Sequence, residues 1–170
     1  MRGLEDFIVT VPGLISPIVC AEIVKEWGWQ AKRALVEGNK LHDDRNCDQV
    51  IVEPSTALDA ACFKGLKVYR KVFPDCRVRK ITNYVLVKYR EGQFYKQHVD
   101  SFPDKPRLLT ISIALNDDFE GGEWAWFDRG VTKRFKCGDA VLFPSNFMFP
   151  HEILPVTKGT RYALITWFTE

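Results

Sequence analysis

Apolar residues recur at helical spacing in two stretches of the first half of the chain: Cys20, Ile23, Val24 and Trp27, then Leu58, Ala61, Cys62, Tyr69, Val72 and Phe73. Side chains three and four positions apart share one face of a helix, so each stretch predicts a helix that buries a single stripe. Boundary residues agree. Ser16 is a natural N-cap with Pro17 at the first helical position and Gly28 after the last, while Ser55 caps the second helix and Pro74 stops it. Ahead of them, Phe7 to Val11 reads as a strand closed by a turn at Pro12-Gly13. Residues 30–54 follow no clean period. With Gly38-Asn39 as a turn and Pro54 as a stop, they are expected to be loop with short strands, a segment that could cover a site.

From residue 79 the pattern changes to short runs rich in Val, Ile, Tyr, Phe and Trp, separated by Gly, Pro, Asn and Asp. Branched and aromatic side chains fit a pleated surface, so these runs predict strands. They are Ile81 to Tyr89, Leu108 to Leu115, Glu123 to Phe127, Val131 to Phe135, Ala140 to Phe143, Glu152 to Leu154 and Arg161 to Phe168, spaced as in a sandwich or jelly roll. The expected fold class is α+β, with supporting N-terminal helices and a β-rich second half. A chain of 170 residues fits one domain, residues 1–170, with a single packed core.

Composition narrows the class. The chain is 46% hydrophobic and 27% charged, as expected of a globular protein, and its net charge of +2 is spread rather than gathered in a block. A nucleic-acid partner is therefore not expected. The longest apolar stretches fall far short of the ~20 residues that a membrane helix needs, so no membrane partner is expected either. The first residues lack a signal core, from which a cytoplasmic location is expected. Five cysteines without a C-x-x-C pair argue against both a disulfide framework and a thiolate zinc site, leaving free thiols; Cys20 and Cys62 lie on the apolar helical stripes.

Two of the three histidines stand in the β-rich half, as His98-Val99-Asp100 and, on another strand, His151. Positions i and i+2 of an extended segment point to the same side, so His98 and Asp100 can reach one metal ion together, with His151 as third ligand. Two imidazoles and a carboxylate leave positions open on an octahedral ion, the donor set of non-haem iron(II) oxygenases. Downstream, Pro155-Val-Thr-Lys-Gly-Thr leads into an apolar strand that begins with Arg161. A guanidinium aimed into a barrel needs an anion, and its planar fork matches a carboxylate.

Several segments together resemble the catalytic domain of the prolyl 4-hydroxylase-like iron(II)/2-oxoglutarate-dependent dioxygenases. They are Tyr89-Arg-Glu-Gly-Gln-Phe-Tyr-Lys-Gln-His98-Val-Asp100, Arg107-Leu-Leu-Thr, Leu115-Asn116, Gly121-Gly122-Glu123, Gly138-Asp-Ala-Val-Leu-Phe-Pro144, His151, and Pro155 to Arg161 with Trp167. The resemblance covers about residues 79–170. It implies a double-stranded β-helix (jelly roll), iron(II) held by His98, Asp100 and His151 as the catalytic centre, and Arg161 on the distal carboxylate of 2-oxoglutarate. Dioxygen would be the second co-substrate and ascorbate the reductant. Tyr89 matches a position that commonly hydrogen-bonds 2-oxoglutarate in this family, and Tyr95 one that can line the active site. Where several relatives offer a second hydroxyl for the distal carboxylate, this chain has Ile113, and Thr110 or another donor is expected to substitute. Trp167 stands where nucleic-acid dealkylating relatives carry a second arginine, and Asp100 opposes a halogenase, in which a small residue replaces that ligand.

The substrate implied is a prolyl residue in a peptide or protein; the alternatives are a free amino acid or other small molecule with the same chemistry, and a non-catalytic metal-binding sensor or binding module. Trp124 and Trp126 share a face and are expected either to line a substrate groove or to plug the core. Lys32, Arg33, Lys40 and Arg45 read as solvated cations, and His42 has no evident partner.

Overall fold

The computed structural model describes residues 2–35 and 43–170. A 3-10 turn (Leu4–Phe7) leads into β1 (Val9–Val11), α1 (Pro17–Trp27), β2 (Lys32–Arg33), β3 (Arg45–Asn46), β4 (Asp48–Val52) and α2 (Thr56–Val72). The β-rich half holds β5 (Lys80–Ile81), β6 (Tyr84–Arg90), β7 (Phe94–His98), β8 (Leu109–Ala114), β9 (Glu120–Gly121) and β10 (Trp124–Trp126). It ends with β11 (Val131–Lys133), β12 (Ala140–Pro144), β13 (His151–Ile153), β14 (Val156–Lys158) and β15 (Thr160–Thr169).

Both helices form where the periodicity places them. The Ser16 hydroxyl accepts from Val19 N and that of Ser55 from Leu58 N, so each N-terminus gains a partner for one of its free N–H groups. The expected strand over residues 7–11 is shortened to β1, because the Leu4–Phe7 turn occupies the positions before it. Residues 30–54, expected to be mostly loop, contribute three strands, one of them five residues long. Lys40, His42 and the Gly38-Asn39 turn lie outside the described residues.

A large antiparallel sheet runs in the order β1-β12-β8-β15-β6-β4-β2, with β5 pairing β15, and a smaller sheet runs β11-β10-β13-β7-β3. Alternation along the central strands of the large sheet creates two cores. Leu109, Ile111 and Ile113 of β8, with Leu86 and Leu164, pack towards the stripes of α1 and α2, including Cys20, Cys62, Leu66 and Tyr69. The opposite faces, carrying Val85, Val87, Tyr89, Ala163 and Trp167, meet Trp124, Trp126 and Ile153 of the small sheet. The helices thus cover the outer face of the large sheet, and the residues with candidate chemistry project between the sheets. Tyr84 also joins the layers, its hydroxyl donating to Asp59 of α2 at 2.6 Å.

Gly138 joins the N-terminal half to the β-rich half. It sits at φ +88°, and an added Cβ would lie 2.3 Å from the carbonyl oxygen of Ile15. Gly138→Ala is expected to cost at least the ~1–3 kcal/mol of a strained backbone, which lowers Tm by about 2–4 °C per kcal/mol at this chain length. Thermal unfolding followed by circular dichroism checks this; an unchanged Tm would contradict the packing described.

Candidate active site

The smaller sheet aligns its inner face in rows. His151 pairs with His98 on one side and Trp126 on the other, and Ile153 pairs with Tyr95 and Trp124. Between those rows β7 has two residues, Lys96 and Gln97, where β13 has one, Glu152. This bulge lets two side chains of opposite parity, Tyr95 and His98, face the same side. Their rings stack, with centroids 3.5 Å apart and 14° between planes. β7 was not among the strands expected from the sequence, since Tyr95-Lys-Gln-His98 is too polar to stand out as one.

His98, Asp100 and His151 meet at this face. One possible ligand atom from each lies within 4.8 Å of the others, and no other group of this kind occurs among the described residues. His98 Nε2 lies 3.7 Å from Asp100 Oδ1, and His151 Nε2 3.6 Å from Asp100 Oδ2. Each imidazole turns its Nδ1 to a backbone carbonyl two residues earlier, His98 to Lys96 at 2.8 Å and His151 to Phe149 at 3.0 Å. A carbonyl only accepts, so Nδ1 carries the proton and both Nε2 lone pairs point inward. Burial, reinforced by His151, pulls the His98 pKa down to about 3, so protons do not compete for its lone pair near neutrality. Burial alone would raise Asp100, but the two imidazoles and the Thr110 hydroxyl outweigh it and hold the carboxyl below its usual range.

Thr110 donates to Asp100 Oδ2 at 2.7 Å and shares a hydrogen bond with Ser145 at 2.8 Å. It was expected to stand in for the hydroxyl missing at Ile113. In the structure it is engaged with Asp100, while Ile113 turns to the helical side in the other core. Ser145, which the sequence did not single out, also receives the N–H groups of Asp100 and Ser101 on its carbonyl oxygen and so holds the chain beside the triad.

Arg161 is only 5% exposed. Its guanidinium carbon lies 5.2 Å from the Tyr89 ring and 5.8 Å from that of Trp124, and Nη1 is buried without a partner. No carboxylate among the described residues acts on it, only Tyr89 and Cys47, and burial pulls its pKa down. Gly122 makes room for it at φ +67°, where a Cβ would lie 3.0 Å from Arg161 Cδ. Tyr89 is fully enclosed beneath this cation, its phenol pushed well up by burial.

The two tryptophans stack at 5.4 Å. Trp126 has no exposed surface and meets Phe143 edge-on, whereas Trp124 forms a wall between His151, 5.4 Å away, and Arg161. Trp167 carries the Arg107 guanidinium 3.5 Å above its ring, and Arg107 Nη1 donates to the Asp100 carbonyl. Arg45, read from the sequence as a surface cation, lies beside Tyr95 with its guanidinium carbon 4.9 Å from that ring.

The residues present fit an iron(II) ion and a dicarboxylate: three convergent ligands of the right chemistry stand beside a buried cation that lacks its anion.

Comparison with known proteins agrees with this geometry. Over 149 residues the chain is 28% identical to a PKHD-type hydroxylase of Idiomarina loihiensis, covering 84% of this chain and 63% of that protein. It spans less than two thirds of the length of this relative and of two further PKHD-type hydroxylases. Two solved structures share the fold. A viral collagen prolyl hydroxylase from Paramecium bursaria Chlorella virus-1, in complex with 2-oxoglutarate, superposes with a TM-score of 0.74 at 20% identity over 98% of both chains. A Trichoplax adhaerens prolyl hydroxylase holding a hypoxia-inducible-factor peptide fragment gives 0.73 at 16% identity, covering 95% of this chain and 83% of that one. The two facing sheets are accordingly those of a double-stranded β-helix. A model of one family matches residues 84–169, the strands that bring His98, Asp100, His151 and Arg161 together, and by that match the chain belongs to the 2OG-Fe(II) oxygenase superfamily.

Proposed function

We propose that the protein is an iron(II)- and 2-oxoglutarate-dependent dioxygenase that hydroxylates a C–H bond, with a prolyl residue of a peptide or protein as its target. The observation that carries this reading is Arg161, a buried guanidinium with an unpartnered nitrogen beside a cluster of two histidines and one aspartate. The prolyl target is supported by the hydroxylase relatives and by the peptide held in the Trichoplax structure.

In this reading His98 Nε2, His151 Nε2 and Asp100 hold the metal, and Arg161 pairs the distal carboxylate of 2-oxoglutarate. When bound, these groups and dioxygen supply the oxidising power that turns a C–H into a C–OH, with succinate and carbon dioxide as co-products and ascorbate keeping the iron reduced. The chain's own work is orientation and exclusion. Lys96 and Phe149 carbonyls fix the tautomers, and Thr110 holds Asp100. Trp124 and Phe143, packed on His151, keep water from its far side. The chain acts as one domain, since β1 pairs with β12 and β4 with β6, joining the first half to the sheet that carries Arg161.

The test is incubation with iron(II), ascorbate and 2-oxoglutarate, with and without proline-containing peptides. Succinate release stimulated by peptide, with the mass of one oxygen atom located on proline by fragmentation, is the expected result. Oxidation of free proline or another metabolite with no hydroxyproline in any peptide would retain the chemistry and overturn the peptide assignment. Failure to consume 2-oxoglutarate under any condition would leave a metal-binding module in its place.

A further inference from the structure

Arg45 is a second guanidinium with a buried nitrogen that lacks a hydrogen-bond partner. It lies directly opposite Tyr95 in the β3–β7 ladder, so both side chains take the inner face, and Tyr95 in turn stacks on His98. One ring therefore separates Arg45 from the metal cluster. Its Nη2 donates to Gln49 Oε1 at 2.6 Å, and its Nε is buried with no partner. The groups that act on it most strongly are Cys47, Tyr95 and Tyr89, none of them a carboxylate. Arg107 stands on the other flank, stacked on Trp167, and each of the two arginines lies within the other's field.

The charges around the cluster do not balance. Among the described residues Arg45, Arg107 and Arg161 are the guanidiniums there, and Asp100 is the carboxylate that acts on Arg107. In the functional reading above, an iron(II) ion and the dianion of 2-oxoglutarate cancel each other, and Asp100 cancels one guanidinium. Two positive charges then remain among buried and half-buried groups, where unpaired charge is costly and a negatively charged guest is favoured. Arg161 is already assigned to the co-substrate. Arg45, whose Nε has no hydrogen-bond partner and whose guanidinium lies against Tyr95, remains for the molecule that is oxidised.

We propose that Arg45 receives a carboxylate carried by the substrate, so that the molecule hydroxylated is an acid. Two sources present this chemistry: the α-carboxylate of a free amino acid, and an acidic side chain flanking the target residue in a peptide. This rests on the dioxygenase reading for the placement of co-substrate and metal. A guanidinium satisfied by a carboxylate discriminates strongly against an uncharged twin, which leaves the buried N–H without an ionic acceptor.

The experiment uses two matched pairs: free L-proline against L-prolinamide, and a peptide with glutamate on both sides of proline against the same peptide with glutamine. Binding to the protein loaded with manganese(II) and 2-oxoglutarate is measured by calorimetry, and stimulation of succinate release by the iron-loaded protein is measured beside it. In at least one pair the acid is expected to bind about tenfold or more tighter than its neutral twin, the scale of a lost buried ionic partner. The pair that responds identifies the source. Arg45→Gln is expected to bring that ratio close to one, and Arg45→Lys, which keeps the charge and guards against a folding defect, to restore part of it. Equal binding within both pairs, or no binding by any member, overturns the proposal. So does an Arg45→Gln variant that weakens 2-oxoglutarate while preserving the ratio, since the carboxylate served would then be the co-substrate's. A wild-type protein that consumes no 2-oxoglutarate overturns the dioxygenase reading instead, and the calorimetry, which needs no turnover, still decides the carboxylate.

Discussion

Asp100→Ala is expected to abolish turnover and to weaken manganese(II) or iron(II) binding by more than about 100-fold, beyond the 10–100-fold typical of losing an outer hydrogen-bonding partner of a ligand. Asp100 is the one anion of the cluster and lies between His98 and His151. Removing it leaves two neutral imidazoles to hold a divalent ion. Thr110→Val provides the graded comparison. It deletes the hydroxyl that donates to Asp100 Oδ2 and keeps the carboxylate, so its metal affinity is expected to fall within that smaller range. Manganese titration followed by electron paramagnetic resonance measures both. Metal affinity in Asp100→Ala within a few fold of wild type would remove the aspartate from the ligand set, whatever the effect on turnover.

Arg161→Met is expected to raise the KM for 2-oxoglutarate at least tenfold while leaving manganese affinity within about twofold. Truncating one member of a buried, hydrogen-bonded charge pair costs ~2–5 kcal/mol, and more than tenfold follows from the low end of that range. The sign of the stability change separates this role from a structural one. Without co-substrate, Arg161 is a buried charge with an unpartnered nitrogen and no carboxylate among its interactions, so replacing it by an apolar chain of similar length should leave the Tm unchanged or raise it. The rise in Tm that wild type shows on adding 2-oxoglutarate should disappear. A variant that melts much lower without ligand yet still gains stability from 2-oxoglutarate would make Arg161 a packing residue and leave the co-substrate without its anchor.

The two helices and most strands were readable because each depends on near neighbours: a cap, a period of three to four, or an alternating run. The same holds for the candidate ligands. His98 and Asp100 are two residues apart on extended chain, so their convergence needs no knowledge of the fold, and Arg161 opens an apolar strand whose burial its own sequence announces. The unusual chemistry of a cation on such a strand made it legible.

What only the tertiary structure decided depends on pairing between distant segments. The bulge between β7 and β13 that sets Tyr95 on His98, and the ladder that puts Arg45 opposite Tyr95, join stretches with no common signal in the chain. Arg45 looked like a solvated cation because charge patterning treats each residue by itself, whereas its burial comes from a sheet edge built fifty residues downstream. Thr110 shows the same limit. Its place between Phe143 and Trp167 in the ladder, and hence its bond to Asp100, follows from strand order, which hydrophobic alternation leaves open. Local sequence thus determined which groups could hold a metal and a carboxylate. The register of the two sheets decided which side chains orient those groups, and which further cation stands beside them.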